Sequence, residues 1–316
     1  MDVLSDVVAT MKTGRAKITR SRRSGRWGNR FGPYPGAGFH IVLDGDCWLI
    51  PPEGDPSRLA AGDVVFLPHG AAHGVSDSPG RTLDELPPDR TEPHGPDLVT
   101  DVGDTDVGDE EPADGRTLLL CGAYRLNREV VHPFLRSLPQ VIHHPATPDR
   151  QSQLGSAVEL LSQDAVRGRA GSDAALPALL DLLLVYVLRA WLEQQCPEGN
   201  GGWCAALKDP AVAAALDRMH RDPARAWSVQ SLAASVGLSR TSFTTRFGSY
   251  VGQSPMAYLT WWRLSSAARI LREGDAPLAA VARQVGYGSE FAFANAFKRE
   301  FGTAPGAFRK AGSAPR

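Results

Sequence analysis

The chain has 316 residues, enough for two domains that each bury a core, and is 42% hydrophobic, 22% charged and 8% aromatic, which excludes a disordered or fibrous protein. Four cysteines (Cys47, Cys121, Cys196 and Cys204) are too few and too scattered for a disulfide framework, so reduced thiols are expected. The formal net charge of −1 conceals a polar distribution: residues 12–30 carry eight Lys or Arg and no acid, 84–114 carry twelve acids and one Arg, and 208–316 carry fifteen Lys or Arg and seven acids.

The N-terminus opens Met-Asp-Val-Leu-Ser-Asp, without a basic-then-apolar signal segment, and a cytoplasmic protein is expected. From about Trp27 to Arg125 short apolar runs alternate with Gly and Pro, as in Phe39-His-Ile-Val-Leu-Asp-Gly-Asp-Cys-Trp-Leu-Ile50 and Gly62-Asp-Val-Val-Phe-Leu-Pro68. Asp44-Gly45-Asp46 reads as a turn between strands, and the region as an antiparallel β-domain. The acidic run 84–114, rich in Pro and Gly, reads as a flexible loop.

After Leu126 the apolar period becomes helical, at Leu154, Ala157, Val158 and Leu161, then at Leu176, Leu179, Leu180, Leu183, Leu184, Val187, Leu188 and Trp191. The second helix is apolar on more than one face, so it is either fully buried or half-buried against a partner chain. Pro177, Asp181 and Arg189 interrupt it, which argues against a membrane span. Pro-Glu-Gly-Asn-Gly-Gly over 197–202 ends it and reads as a linker.

An internal repeat follows. Leu232-Ala-Ala-Ser-Val-Gly-Leu-Ser239 with Phe243, Phe247, Gly252 and Pro255 is matched by Val281-Ala-Arg-Gln-Val-Gly-Tyr-Gly288 with Phe293, Phe297, Gly302 and Pro305. Each copy reads as helix, glycine turn and second helix, with its Phe pair at i and i+4 facing a core. Ser254 and Pro255 cap and start a long helix between the copies. Two such copies in a basic segment point to a polyanionic partner, double-stranded DNA.

With those residues in view, 209–310 resembles the AraC/XylS-type DNA-binding domain. The resemblance rests on Ala233-Ala-Ser-Val-Gly-Leu-Ser239, Phe243, Phe247, Tyr258-Leu259 with Arg263-Leu264, Val285-Gly-Tyr287, and Phe293 to Gly302. It implies a transcription regulator that lays two recognition helices in successive major grooves. The N-terminal half is similar to the cupin-type sensor domain of some such regulators, through Phe39-His40, Gly45, Cys47-Trp48, the stretch from Gly62 to His73, and Leu120-Cys-Gly122.

The expected organisation is therefore α+β with two domains: an antiparallel, cupin-like β-barrel over 1–126, a helical linker and dimerisation region over 127–200, and an all-α double helix-turn-helix domain over 209–310. Helix geometry turns Thr241, Ser242 and Thr245 outward in the first copy, with Thr244 and Arg246 on the flanks, and Phe291, Ala292 and Asn295 outward in the second. Arg240, Arg246, Lys298 and Arg299 are expected at phosphates, Asn295 at adenine and Glu290 at cytosine. In the β-domain, His40, Cys47, His73 and Cys121 are the candidate sensor residues, serving a small-molecule or oxidant effector, or packing only. A thiol lowered by a protonated His would be a redox switch.

The alternative is a metal-dependent cupin enzyme, with His40, His73 and Cys121 or Cys47 around zinc. It leaves the two helix-turn-helix units unexplained, and no phosphate loop, zincin motif or nucleophile elbow is present, so no enzyme, cofactor or metal is expected. The expected partners are promoter DNA, RNA polymerase if the protein activates, and a second copy of the chain, with no membrane.

Overall fold

The computed structural model describes residues 3–11, 17–34, 36–85, 99–103, 116–125, 131–146, 152–167, 170–195 and 201–313. Helix α1 (Val3–Met11) precedes strands β1 (Lys17–Arg23), β2 (Gly28–Phe31), β3 (Gly36–Asp44), β4 (Asp46–Ile50), β5 (Ser57–Ala60), β6 (Val64–Leu67), β7 (His73–Ser76), β8 (Asp84–Glu85), β9 (Val99–Gly103) and β10 (Thr117–Arg125). Then come α2 (Pro133–Arg136), β11 (Ile142–His144), α3 (Gln153–Arg167) and α4 (Ser172–Gln195). The last part is helical: α5 (Trp203–Lys208), α6 (Pro210–Arg221), α7 (Val229–Ser235), α8 (Arg240–Val251), α9 (Pro255–Glu273), α10 (Leu278–Gln284), α11 (Glu290–Phe301) and α12 (Pro305–Ser313).

Two compact units result: Met11–Arg128 with Leu138–Gln194, and Met1–Thr10 with Glu129–Ser137 and Gln195–Arg316. The division departs from the boundaries read in the sequence, because residues 1–10 and 129–137 cluster with the helix-turn-helix segment.

The first unit has a six-stranded sheet in the order β11-β6-β3-β10-β1-β9 and a five-stranded sheet in the order β5-β4-β7-β2-β8. Val42, Val65, Leu67 and Leu119 of the first sheet share one core with Cys47, Leu49, Leu59 and Val75 of the second. Strand alternation turns Val64 and Phe66 to the opposite face, where they are also buried. On that face His144 of β11, paired with Val64, donates from Nε2 to the Val187 carbonyl of α4 at 3.0 Å.

Most pairs are antiparallel, but β1/β9 and β2/β8 are parallel. Those two edge strands correct the reading of 84–114 as one loop. Residues 84–85 and 99–103 find an unpaired strand edge and satisfy their backbone there, while 86–98 and 104–115 lie outside the described residues.

Helix α4 has the length and apolarity to cross a membrane. It nevertheless buries Leu176, Leu180, Leu183, Leu184, Val187 and Leu188, leaving Leu182 exposed.

The second unit holds the repeat. Ser239, Ser254 and Ser289 cap α8, α9 and α11 by accepting from the third backbone N–H beyond. Phe243 and Phe247 are fully buried with Leu232, Ala233 and Tyr258; Phe293 and Phe297 are buried in a second cluster with Leu264, Val281 and Phe308. The matched turn glycines Gly237 and Gly286 have φ of +72° and +85°. Gly286 answers a second need: a Cβ there would come within 3.0 Å of Pro223 O and Ala224, whereas one at Gly237 would meet nothing.

Candidate nucleic-acid interface and sensor residues

Burial of the Phe pairs fixes the opposite face of each second helix. On α8, Arg240, Thr241, Ser242, Thr244, Thr245 and Arg246 are all exposed. On α11, Glu290, Phe291, Ala292, Asn295, Lys298 and Arg299 are exposed, and Phe291 is open to solvent over 77% of its surface. At the matching position of α8 stands Thr241. The sequence turned Phe291 outward without giving it a role; its exposure on an otherwise well-packed helix is the missed signal.

Two of these side chains have protein partners. Thr244 donates its hydroxyl to the Arg240 carbonyl at 2.9 Å, which occupies its donor. Arg246 reaches the Asp209 carboxylate at 3.2 Å, and Asp209 also caps α6 through the N–H groups of Ala211 and Val212. This half-exposed pair is weak and orients Arg246 without neutralising its use at a phosphate. Arg263, on the helix joining the two copies, instead donates to the carbonyls of Pro223 and Arg225 at 2.6 and 2.8 Å. It straps the loop before α7.

Beneath this surface runs a buried polar chain. Phe134 N–H donates to His132 Nδ1 at 3.1 Å, so a neutral His132 carries its proton on Nε2 and donates it to Tyr258 Oη at 3.1 Å. Tyr258 O–H donates to His220 Nε2 at 2.6 Å, and His220 Nδ1–H donates to Asp6 Oδ2 at 2.8 Å. Burial holds His132 far below the usual histidine range, helped by His220 and Arg136. Burial also lowers His220, outweighing the opposing pull of Asp6. Trp262 stacks on His220 at 3.8 Å between centroids, and Trp203 and Trp261 edge onto His132. The chain joins α1, the 129–137 segment, α6 and α9. Sequence reading missed it because each member is a lone polar residue without periodicity.

In the β-unit, register brings the candidate sensor residues together. Cys121 is paired with His40 on the six-stranded sheet, and His73 with Phe31 on the other. His73 Nδ1–H donates to Ala71 O at 2.8 Å, leaving Nε2 to accept from His40 Nε2–H at 2.6 Å. His40 Nδ1 then accepts from the Cys121 thiol at 2.9 Å. Phe31 stacks on His73 at 4.9 Å.

This order weighs against the zinc alternative and against a thiol activated by an imidazolium. Cys121 and His73 lie on opposite nitrogens of His40, so they do not converge on one ion, and among the described residues no three His, Cys, Asp or Glu are grouped to hold a metal. Burial, and then His73, keep His40 neutral, so no imidazolium lowers the thiols. Burial instead pushes Cys121 up to about 12, and pushes Cys47 to about 12 with help from Cys121, Asp46 and Asp63. Cys47 and Cys121 are free, but Cys204 is disulfide-bonded, against the expected reduced thiols. A single bridge needs only two nearby Cα atoms, which a cysteine count does not reveal. Cys196 lies outside the described residues.

A two-sheet unit ahead of paired helix-turn-helix motifs defines a regulator that couples a β-domain to DNA binding. Residues 2–193 match the family described as Cupin, and 232–311 that described as Helix-turn-helix domain. A putative AraC-like transcription regulator of Streptomyces lividans is 35% identical over 312 residues, covering 98% of each chain. The HTH-type transcriptional regulator AlkR of Acinetobacter baylyi is 27% identical over 314 residues, covering 98% of this chain and 99% of its own. Among solved structures, the DNA-binding domain of AdpA in complex with a target DNA is 32% identical with a TM-score of 0.32, covering 33% of this chain and 93% of that one. The chain belongs to the AraC family of helix-turn-helix transcription regulators.

Proposed function

We propose that this regulator acts in the cytoplasm as a homodimer, reads promoter DNA with α8 and α11, and takes its signal at the cupin unit. The single observation that carries the reading is the paired helix surface: each Phe pair is buried while the facing residues are exposed and tipped with Arg or Lys. Arg240, Arg246, Lys298 and Arg299 hold phosphates, and Thr241, Ser242, Thr245, Glu290 and Asn295 meet base edges. Thr244, its donor engaged, offers its methyl. Phe291 adds an apolar contact suited to a thymine methyl. The exposed stripe of α4 around Leu182 faces a second copy, and RNA polymerase is a further partner if the protein activates.

Selection of bound duplexes from a random pool, followed by titration of the full chain against salt, tests this reading. A defined motif whose affinity falls steeply with salt is the expected result. Binding without sequence preference, or none, overturns it.

A second reading of the signal, an oxidant or electrophile at Cys121, is supported by the contact from its thiol to His40 at 2.9 Å. Burial keeps that thiol protonated at rest, so attack requires the sandwich to open first. A Cys121→Ser protein whose reporter responds to oxidant like the parent removes this reading.

A further inference from the structure

The cupin unit has a cavity of about 990 Å³ outside the sandwich core, between the outer face of the six-stranded sheet, α3 and the end of α4. Its apolar wall includes Leu43, Leu154, Val158 and Leu160, the last 51% exposed. The volume is that of a site for a drug-sized ligand.

Three polar features give the cavity a sign. Glu159 and Glu193 both line it, and no Lys or Arg does so among the described residues. Glu159 is turned by a bond from Gln163 Nε2 at 2.9 Å and stays exposed. The third is His144, which also lines the cavity and is only 2% exposed. Its Nε2–H is spent on Val187 O, so the neutral ring leaves Nδ1 as an acceptor, and that nitrogen is buried without a partner. A buried acceptor left unpaired costs stability, which a ligand N–H would recover.

The cavity's edge is fixed in place. The buried Asp63 carboxylate accepts from Ala60 N, His143 Nε2 and Ala146 N at 3.1, 2.9 and 2.7 Å, tying the β5–β6 turn to the strand end that carries His144. The site is therefore built before any ligand arrives.

We infer that this cavity binds an apolar molecule bearing a protonated amine: its body lies against Leu43, Val158 and Leu160, and its ammonium is shared by His144 Nδ1, Glu159 and Glu193. The inference deepens the sensor reading, on which it rests, by naming the chemical class of the effector.

Octylamine, octanol and octanoate, titrated calorimetrically into the full chain, share a tail and differ in the head group. Octylamine should bind, octanol at least tenfold more weakly, and octanoate not at all. Glu159→Gln with Glu193→Gln changes exposed side chains and should weaken octylamine about tenfold; Ser156→Phe, which fills the cavity from an exposed position, should abolish binding. A urea transition like the parent's verifies that each variant is folded. Octanoate binding as tightly as octylamine, or full affinity in the folded Ser156→Phe protein, overturns the site. Octylamine should also shift affinity for a selected duplex at least threefold. Binding without that shift leaves the site standing and overturns its role in sensing.

Discussion

Asn295 and Arg246 make different contributions to one surface. Asn295 is exposed on α11, so its amide is available to adenine, and Asn295→Ala should cost about 1–3 kcal/mol at one base position and little elsewhere. Arg246→Ala should weaken all duplexes alike and flatten the salt dependence. Phe291→Ala should lose preference for thymine at one step while leaving non-specific binding intact. Affinity profiling of the three variants over a panel of single-base changes separates these outcomes. Within the protein core, Tyr258→Phe removes the hydroxyl that serves both His132 and His220, stranding one donor and one acceptor. It should destabilise by about 1–3 kcal/mol, read from urea unfolding. Both rings have depressed pKa values in the fold. The unfolded chain therefore binds protons at a higher pH than the folded one, and stability is lost as pH falls below about 6.5, at up to about 1.4 kcal/mol per pH unit for each silent ring. Urea midpoints at pH 7.5 and 5.5 check the sign, and His132→Phe should lessen the drop.

At the scale of elements, α1 and α4 repay attention. Asp6 of α1 is the final acceptor of the buried chain, so Asp6→Ala should unpair His220 Nδ1 and lower the unfolding midpoint of the helix-turn-helix unit. A fragment over 209–316 lacks both α1 and His132, and should bind DNA with less stability than the full chain. The outward stripe of α4 around Leu182 predicts that Leu182→Glu converts a dimer into a monomer in sedimentation at micromolar concentration. Much of this was legible in the sequence and some was not. Phe243, Phe247, Phe293 and Phe297 declare their helices because core packing imposes a period of four. Ser254 and Pro255 declare the start of α9 because a cap needs a short hydroxyl there and proline suits the first turn. Of the candidate sensor residues His40, Cys47, His73 and Cys121, the fold puts His40 in contact with His73 and Cys121, yet the neutral state of His40 depends on how deeply register buries it. Asp6 and His132 follow no period at all, and the parallel strands at 84–85 and 99–103 hide inside a charge run whose composition suits a loop.

For the whole molecule, the Asp6–His220 bond has a consequence for how the chain comes off the ribosome. The two residues are 214 positions apart. At about 5–20 residues per second, α1 emerges roughly 10–40 s before His220 exists to receive it. During that interval the β-strands, whose partners are mostly closer in sequence, are free to pair, while Val3, Val7 and Val8 of α1 stay exposed to solvent and to other nascent chains. A helix made 214 residues ahead of its partner is thus among the last to settle. Chaperone demand should fall when α1 is shortened, even though the finished protein is then less stable. Pulse-labelled nascent chains captured by a holdase, with and without residues 1–11, would show that inversion.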